Sequence, residues 1–301
     1  MTEQTEQLAK EKRLVVEVDK RLPADLFSHR PLQSLRQIPR EFWGAAGRIY
    51  LLIPRLMDTS GLRNCGLRQG SSGLFIKPDS VIDFEKVDPY LPFVAKKNIV
   101  PRFGDLIPQS SWGSSLANLL TSSSWNKLRQ LAFEATGFRC EICGGSEKLE
   151  CHEDWEYYEP NGTVQFEKGQ TAAGVQKLRR LMPLCNDCHE TYHLGFANIQ
   201  GRLQIRLQRI SAYNRFNESE TKRYYQFVGD RWKRRNEYAW ALDLSLVKDA
   251  DLIVQSAWAA DGILLSRKDS CTWILGAPWR FAKDASPRVA ISTDVGYYHQ
   301  E

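Results

Sequence analysis

Four of the seven cysteines in this chain stand in two Cys-x-x-Cys pairs, Cys140/Cys143 and Cys185/Cys188. Each pair sets two thiolates at the separation that tetrahedral zinc takes, with Zn–S near ~2.3 Å. Coincidental turns or a redox dithiol would account for one such pair, but two matched pairs are far more specific. A structural zinc on Cys140, Cys143, Cys185 and Cys188 is therefore expected. The long interval between the pairs, residues 144–184, would make the zinc a clamp at the base of an intervening hairpin. Such binding is folding free energy, so chelation should loosen the module. Thiolate pairs and an odd cysteine count suit a reducing compartment, and Cys65 and Cys271 read as buried small hydrophobes.

Histidine is scarce, five in 301 residues, yet His152, His189 and His193 all fall among these cysteines. His189 and His193 are four apart on an expected helix, so their imidazoles leave one face and can hold a common metal ion. The blander alternative makes His189 a further zinc ligand or cap and His193 a surface residue. His152 lies in "LECHEDW", residues 149–155, which alternates like a strand. Alternation sends Cys151 and His152 to opposite faces unless the strand is bulged. Cys151 is then either a further ligand, which would favour zinc over magnesium, or a buried small residue. Glu150, Glu153 and Asp154 read as solvated or supporting groups.

Taken together, "CEIC", "ECHED" and "LCNDCHETYH" resemble the HNH endonucleases of the ββα-metal type, zinc-knuckle subgroup. The resemblance covers about residues 124–193. More loosely it runs on through "GRLQIRLQRI" to "WALDLSL", which looks like the tail of many bacterial and phage HNH proteins. It implies a zinc-stabilised strand–strand–helix module gripping one catalytic divalent metal, Mg2+, Mn2+ or Zn2+. The family's general base falls on His152 and its helix ligands on His189 and His193. The position before the base, usually a His or Asp ligand, falls on Cys151. The family's middle asparagine is replaced by Arg180, which leaves a backbone carbonyl or Glu153 to orient His152. The implied function is metal-dependent hydrolysis of DNA phosphodiester bonds leaving 5′-phosphate and 3′-hydroxyl ends. The alternative is a zinc-stabilised, catalytically inactive DNA-binding or assembly module.

Nucleic acid requires positive charge, and the net charge of +5 with a pI near 8.8 is only modestly basic. Its distribution is more telling. Arg202, Arg206 and Arg209 form a stripe, and Lys222, Arg223, Arg231, Lys233, Arg234 and Arg235 follow closely. These nine residues are the expected DNA-binding set, through salt-sensitive phosphate contacts. A solvated helix face is the competing explanation.

Several elements must position these groups. Trp125, Leu128, Leu131, Ala132 and Ala135 recur at helical spacing, with Ser124 as the expected N-cap and Gly137 past the end. "KLECHEDWEYYE" and "VQKLRRLMPL" would pair as a hairpin across a Gly-containing excursion, residues 160–174. "HETYHLGFANIQG" reads as a short helix carrying both histidines. Short apolar runs broken by Pro, Gly and Ser make residues 1–105 a β-rich region. The expected fold is thus α+β, with the HNH module and its basic helical extension at 106–246 and an accessory segment at 247–301. The first eighteen residues lack a signal-like apolar stretch, and no segment reaches the ~20 apolar residues of a membrane span. A cytoplasmic chain is expected, with no membrane partner, and with a protein partner or second copy able to use the terminal regions.

Overall fold

The computed structural model describes residues 32–97, 104–158, 164–165, 171–172, 174–238, 240–254, 272–275, 280–281 and 289–292. Within them the fold is mixed α+β, built on small sheets and seven α-helices. Cys271, residues 1–31 and most of the 160–174 excursion lie outside the described residues.

Among the described residues of the N-terminal region, the β-rich expectation needs correction. Strands β1 (Ile49–Tyr50), β2 (Arg68–Gly70) and β3 (Gly73–Ile76) form one small antiparallel sheet, and 3-10 turns with the one-turn helix α1 (Phe84–Val87) supply most of the remaining regular structure. Prolines 39, 54, 78, 89 and 92 interrupt the apolar runs, removing amide donors a wider sheet would need. These runs serve as a packing layer. Leu35, Phe42, Ile49, Ile76, Leu91, Phe93 and Val94 join Cys140, Ile142, Met182, Leu184, Cys188, Tyr192 and Tyr213 in one buried cluster.

Helix α2 (Leu116–Leu119) leads into α3 (Ser122–Ala135), which starts three residues before the expected point. Thr121 is the N-cap, accepting from the Ser124 amide at 3.4 Å, and Ser124 is buried instead, its hydroxyl taking the Ile253 amide at 2.9 Å. Gly137 ends the helix at φ +61°, where a Cβ would stand 2.3 Å from the Ile53 carbonyl oxygen. Only glycine fits that turn.

The hairpin forms as expected from β4 (Leu149–Tyr158) and β7 (Gly174–Cys185), antiparallel, with the short pair β5 (Val164–Gln165) and β6 (Thr171–Ala172) in its excursion. Its register sets His152 opposite Met182 and Cys151 opposite Pro183, and a bulge follows between Asp154 and Trp155. Because the bulge falls after the site residues, alternation holds at Cys151 and His152.

Beyond β7 come α4 (Asn186–Tyr192), α5 (Leu194–Ile199), α6 (Leu203–Asn214) and α7 (Glu218–Arg235), then β8 (Trp240–Asp243) and β9 (Ile253–Val254). Strands β10 (Thr272–Leu275), β11 (Arg280–Phe281) and β12 (Val289–Ser292) complete the order. The main sheet runs β12-β10-β8-β7-β4, with only the hairpin pair antiparallel. On the sheet face away from the histidines, Leu116, Leu119, Leu128, Cys151, Leu178, Leu181, Leu242, Leu252 and Val254 share a second cluster. A third, Leu194, Ile210, Phe216, Tyr224 and Val228, ties α5, α6 and α7 together.

Asp105 fastens α7 to the histidine region. Its carboxylate meets Arg231 at 2.8 Å and Arg235 at 2.7 Å, and its amide donates to the Tyr192 carbonyl at 3.0 Å. Burial opposes ionisation there, but the Arg231 and Arg235 guanidiniums prevail and hold Asp105 below the usual carboxylate range. Asp105→Ala leaves two buried guanidiniums without their counter-charge, so urea unfolding should show a loss of about 3–5 kcal/mol. A loss under about 1 kcal/mol would mean the three charges contribute little.

Candidate metal centre

The four-cysteine centre is assembled from both ends of the hairpin. Cys140 and Cys143 sit in the turn after α3, where Gly144 at φ +79° lets the chain reverse against the Tyr50 carbonyl. Cys185 ends β7 and caps α4, and Cys188 lies one turn inside that helix. The Cys140 amide donates to the Gly145 carbonyl at 2.6 Å, and the Glu141 amide to Pro183 at 2.8 Å, which pins the turn to the strand. All four sulfurs lie within 4.8 Å of one another, and Cys143 Sγ is 3.7 Å from Cys185 Sγ. Leu149 pairs with Cys185, so the cluster closes the base of the hairpin as the spacing suggested.

Thiol chemistry supports a cation here. Burial pushes the Cys140 and Cys188 thiols up, while hydrogen bonds from neighbouring sulfurs, that of Cys140 first, hold Cys143 and Cys185 down. Four sulfurs this close cannot all be thiolates unless a positive ion lies among them. A metal such as zinc fits the set.

The second cluster is His152, His189 and His193, with one ring nitrogen of each within 4.8 Å of the others. His152 projects from β4. His189 lies in α4, and His193 is the residue at which that helix stops, at φ −100° and ψ 62°. The single short helix expected over residues 189–201 is therefore two helices broken at His193. Their relation is nevertheless close: His189 Nε2 and His193 Nε2 are 3.0 Å apart. His152 packs against the Tyr192 ring with centroids 4.7 Å apart, and lies 5.3 and 5.0 Å from the His189 and His193 rings.

His189 Nδ1 contacts the Glu150 carboxylate. A carboxylate only accepts, so the ring donates from Nδ1 and its Nε2 faces His193. Carboxylates support metal-bound imidazoles in this way. Alternation places Glu150 on the His152 face, and that signal was present in the sequence. Burial, then the His193 and His189 charges, hold the His152 pKa well below the ordinary value. Burial first, then His189, brings His193 down to about 4, with Asp105 pulling the other way. Both rings are neutral at pH 7, the form that binds metal or accepts a proton.

Cys151 does not join this cluster. It faces the other side of β4, among Leu116, Leu119 and Leu181. This corrects the expectation of a sulfur ligand at the second centre: the groups brought together there are three imidazoles. Glu153 shares that far face and does not orient His152. Its Oε1 accepts from the Leu116 amide at 2.8 Å. Arg180 is buried, donates from Nε to Asp154 at 2.8 Å and pairs with Glu141.

Burial pushes the Glu153 carboxyl up to about 8 from 4.5, against the lowering effect of its hydrogen bonds. Between these values the folded chain keeps a proton that the unfolded chain has lost. Stability therefore falls as pH rises from about 4.5 to 8, and the deficit is complete above 8. Glu153→Gln keeps the acceptor and removes the charge. Its stability advantage in urea titrations should be absent near pH 4 and reach on the order of 3 kcal/mol at pH 8.5. An advantage that stays the same at both pH values would sink this account.

The expected DNA-binding set divides. Arg206 is buried against Asp187 and Glu190, Arg209 donates to the Tyr213 hydroxyl and Cys188 Sγ, and Arg231 and Arg235 belong to Asp105. These four are held by contacts within the chain, with Arg206, Arg231 and Arg235 buried, which takes them out of an open phosphate-binding surface. Arg202 is half exposed but contacts Glu190. Lys222, Arg223, Lys233 and Arg234 are exposed on α7, with Lys233 3.2 Å from Asp230.

No family model matches the chain, and neither a curated protein nor a solved structure gave a match. Among the described residues, no helix is long and apolar enough to cross a membrane.

Proposed function

We propose that this chain is a metal-dependent endonuclease of the HNH type, hydrolysing DNA phosphodiester bonds at the cluster of His152, His189 and His193. The observation that carries the reading is the convergence of three imidazoles from a strand and a helix end, accessible through the half-buried His189 and His193. His189 and His193 would hold one divalent ion, with Glu150 fixing the His189 ring. When bound, that ion supplies Lewis-acid stabilisation of charge developing on phosphate oxygens. His152, uncharged at pH 7 and braced by Tyr192, takes the proton from the attacking water. Lys222, Arg223, Lys233 and Arg234 would supply salt-sensitive phosphate contacts.

A second reading, a zinc-stabilised DNA-binding or assembly module without catalysis, draws support from Arg180. At the asparagine position it is locked to Asp154 and Glu141 instead of serving the histidines. Nicking of supercoiled plasmid by the full chain with Mg2+, Mn2+ or Zn2+ separates the two. Cleavage abolished by His152→Ala supports the enzyme, whereas DNA retention without cleavage in any of these metals supports the module.

A further inference from the structure

Two side chains of α6, one helical turn apart, reach the same sulfur of the four-cysteine centre. The Tyr213 hydroxyl lies 3.0 Å from Cys188 Sγ, and Arg209 Nη2 lies 3.6 Å from it. Arg209 Nε also donates to the Tyr213 oxygen at 2.8 Å, which leaves the hydroxyl proton for the sulfur. The guanidinium is steadied over the Phe42 ring, 5.1 Å from its centroid. Four thiolates around one divalent ion keep two formal negative charges, and charge-assisted donors to such sulfurs offset them.

The four sulfurs are not equivalent. Cys140 and Cys188 are fully buried, whereas Cys143 and Cys185 are partly exposed, side by side at 3.7 Å. Cys185 takes a backbone donor, the Cys188 amide, while the two side-chain donors of α6 converge on Cys188. We propose that Arg209 and Tyr213 are positioning residues of the tetrathiolate centre, anchoring its metal on the Cys188 side, so that metal loss and electrophilic attack begin at the Cys143–Cys185 edge. This assigns Arg209 to the metal rather than to DNA, and it does not depend on nuclease activity.

Zinc release from the full-length, zinc-loaded chain to 4-(2-pyridylazo)resorcinol tests the anchoring. Tyr213→Phe, which removes one oxygen and keeps the ring, and Arg209→Met should each release zinc about tenfold faster, since lost supporting partners weaken metal sites by about 10–100-fold. Arg209→Lys should recover part of the loss. Cadmium-113 spectra of the substituted protein should shift in Tyr213→Phe with unchanged far-ultraviolet dichroism. In the wild-type chain, limiting iodoacetamide should label Cys143 and Cys185 before Cys140 and Cys188. Unchanged release in both variants, or early labelling of Cys188 in the wild type, would overturn the proposal.

Discussion

Replacing His152 by alanine is expected to lower metal-dependent nicking of supercoiled DNA by about 10²–10⁴-fold, the usual contribution of a positioned acid–base group. The four-cysteine centre should be retained, because it is built from other residues and the His152 backbone keeps its place opposite Met182. The loss should not be reversed by more metal. His189→Ala removes a donor from the 3.0 Å pair with His193, and its defect should shrink as the divalent ion is raised. Added imidazole should partly restore His152→Ala and not His189→Ala. The acid side of the pH profile carries a further mark. A base whose pKa lies well below 6.5 is still unprotonated near pH 6, so activity should persist there and fall only as pH drops through the lowered value. Plasmid nicking with zinc stoichiometry and circular dichroism measures all of this. Equal cleavage by the parent and His152→Ala would remove His152 from the chemistry.

Stripping the metal from the tetrathiolate centre is expected to unfold the half of the protein around it rather than merely silence it. Cys140 and Cys188 are fully buried, in one cluster with Phe42, Ile49, Val94, Met182, Leu184 and Tyr213. Structural zinc typically contributes about 10–16 kcal/mol of apparent binding free energy, comparable to or larger than the ~5–15 kcal/mol stability of a whole domain. Without it, four closely spaced sulfurs with perturbed ionisation face one another, two of them fully buried. Cys188 immediately precedes His189 in α4, so the histidine cluster should lose its alignment in the same transition. Dialysis against a strong chelator, or Cys140→Ser, should abolish the near-ultraviolet signal and the cooperative melt, with zinc restoring both in the chelated wild type alone. A metal-free chain with an unchanged melting temperature would assign the four cysteines to another purpose.

The legible features are those with short-range causes. Ligand spacing announced the four-cysteine centre, alternation announced the strand bearing His152, and helical periodicity announced α3. Gly137 and its positive φ confirm where that helix ends, while the start lies three residues early because Ser124 turns inward to meet Ile253, a partner far away in sequence. The described part of the N-terminal region departs from the β-rich expectation for a related reason. Its apolar runs signal burial, but prolines and partners on the zinc turn convert them into a packing layer instead of a sheet.

Arginines show the boundary most clearly. In sequence, Arg202, Arg206 and Arg209 are a basic stripe, and Arg231, Arg234 and Arg235 extend it. Whether a guanidinium faces solvent depends on where its carboxylate lies, and the partner of Arg231 and Arg235 is Asp105, more than a hundred residues earlier. Periodicity carries no trace of that pairing.

By itself, the sequence determined that two Cys-x-x-Cys pairs could bind metal and that His152 and Cys151 leave opposite faces of an unbulged strand, since ligand chemistry and the two-residue repeat are local properties. Only the tertiary structure decided that His152 meets His189 and His193 while Cys151 turns into an apolar cluster. It alone set Glu150 against His189 and turned four basic residues inward. Those outcomes follow from the packing of β4 against α4 on one face and α2 on the other, and from the distant carboxylates that the folded chain brings to its buried guanidiniums.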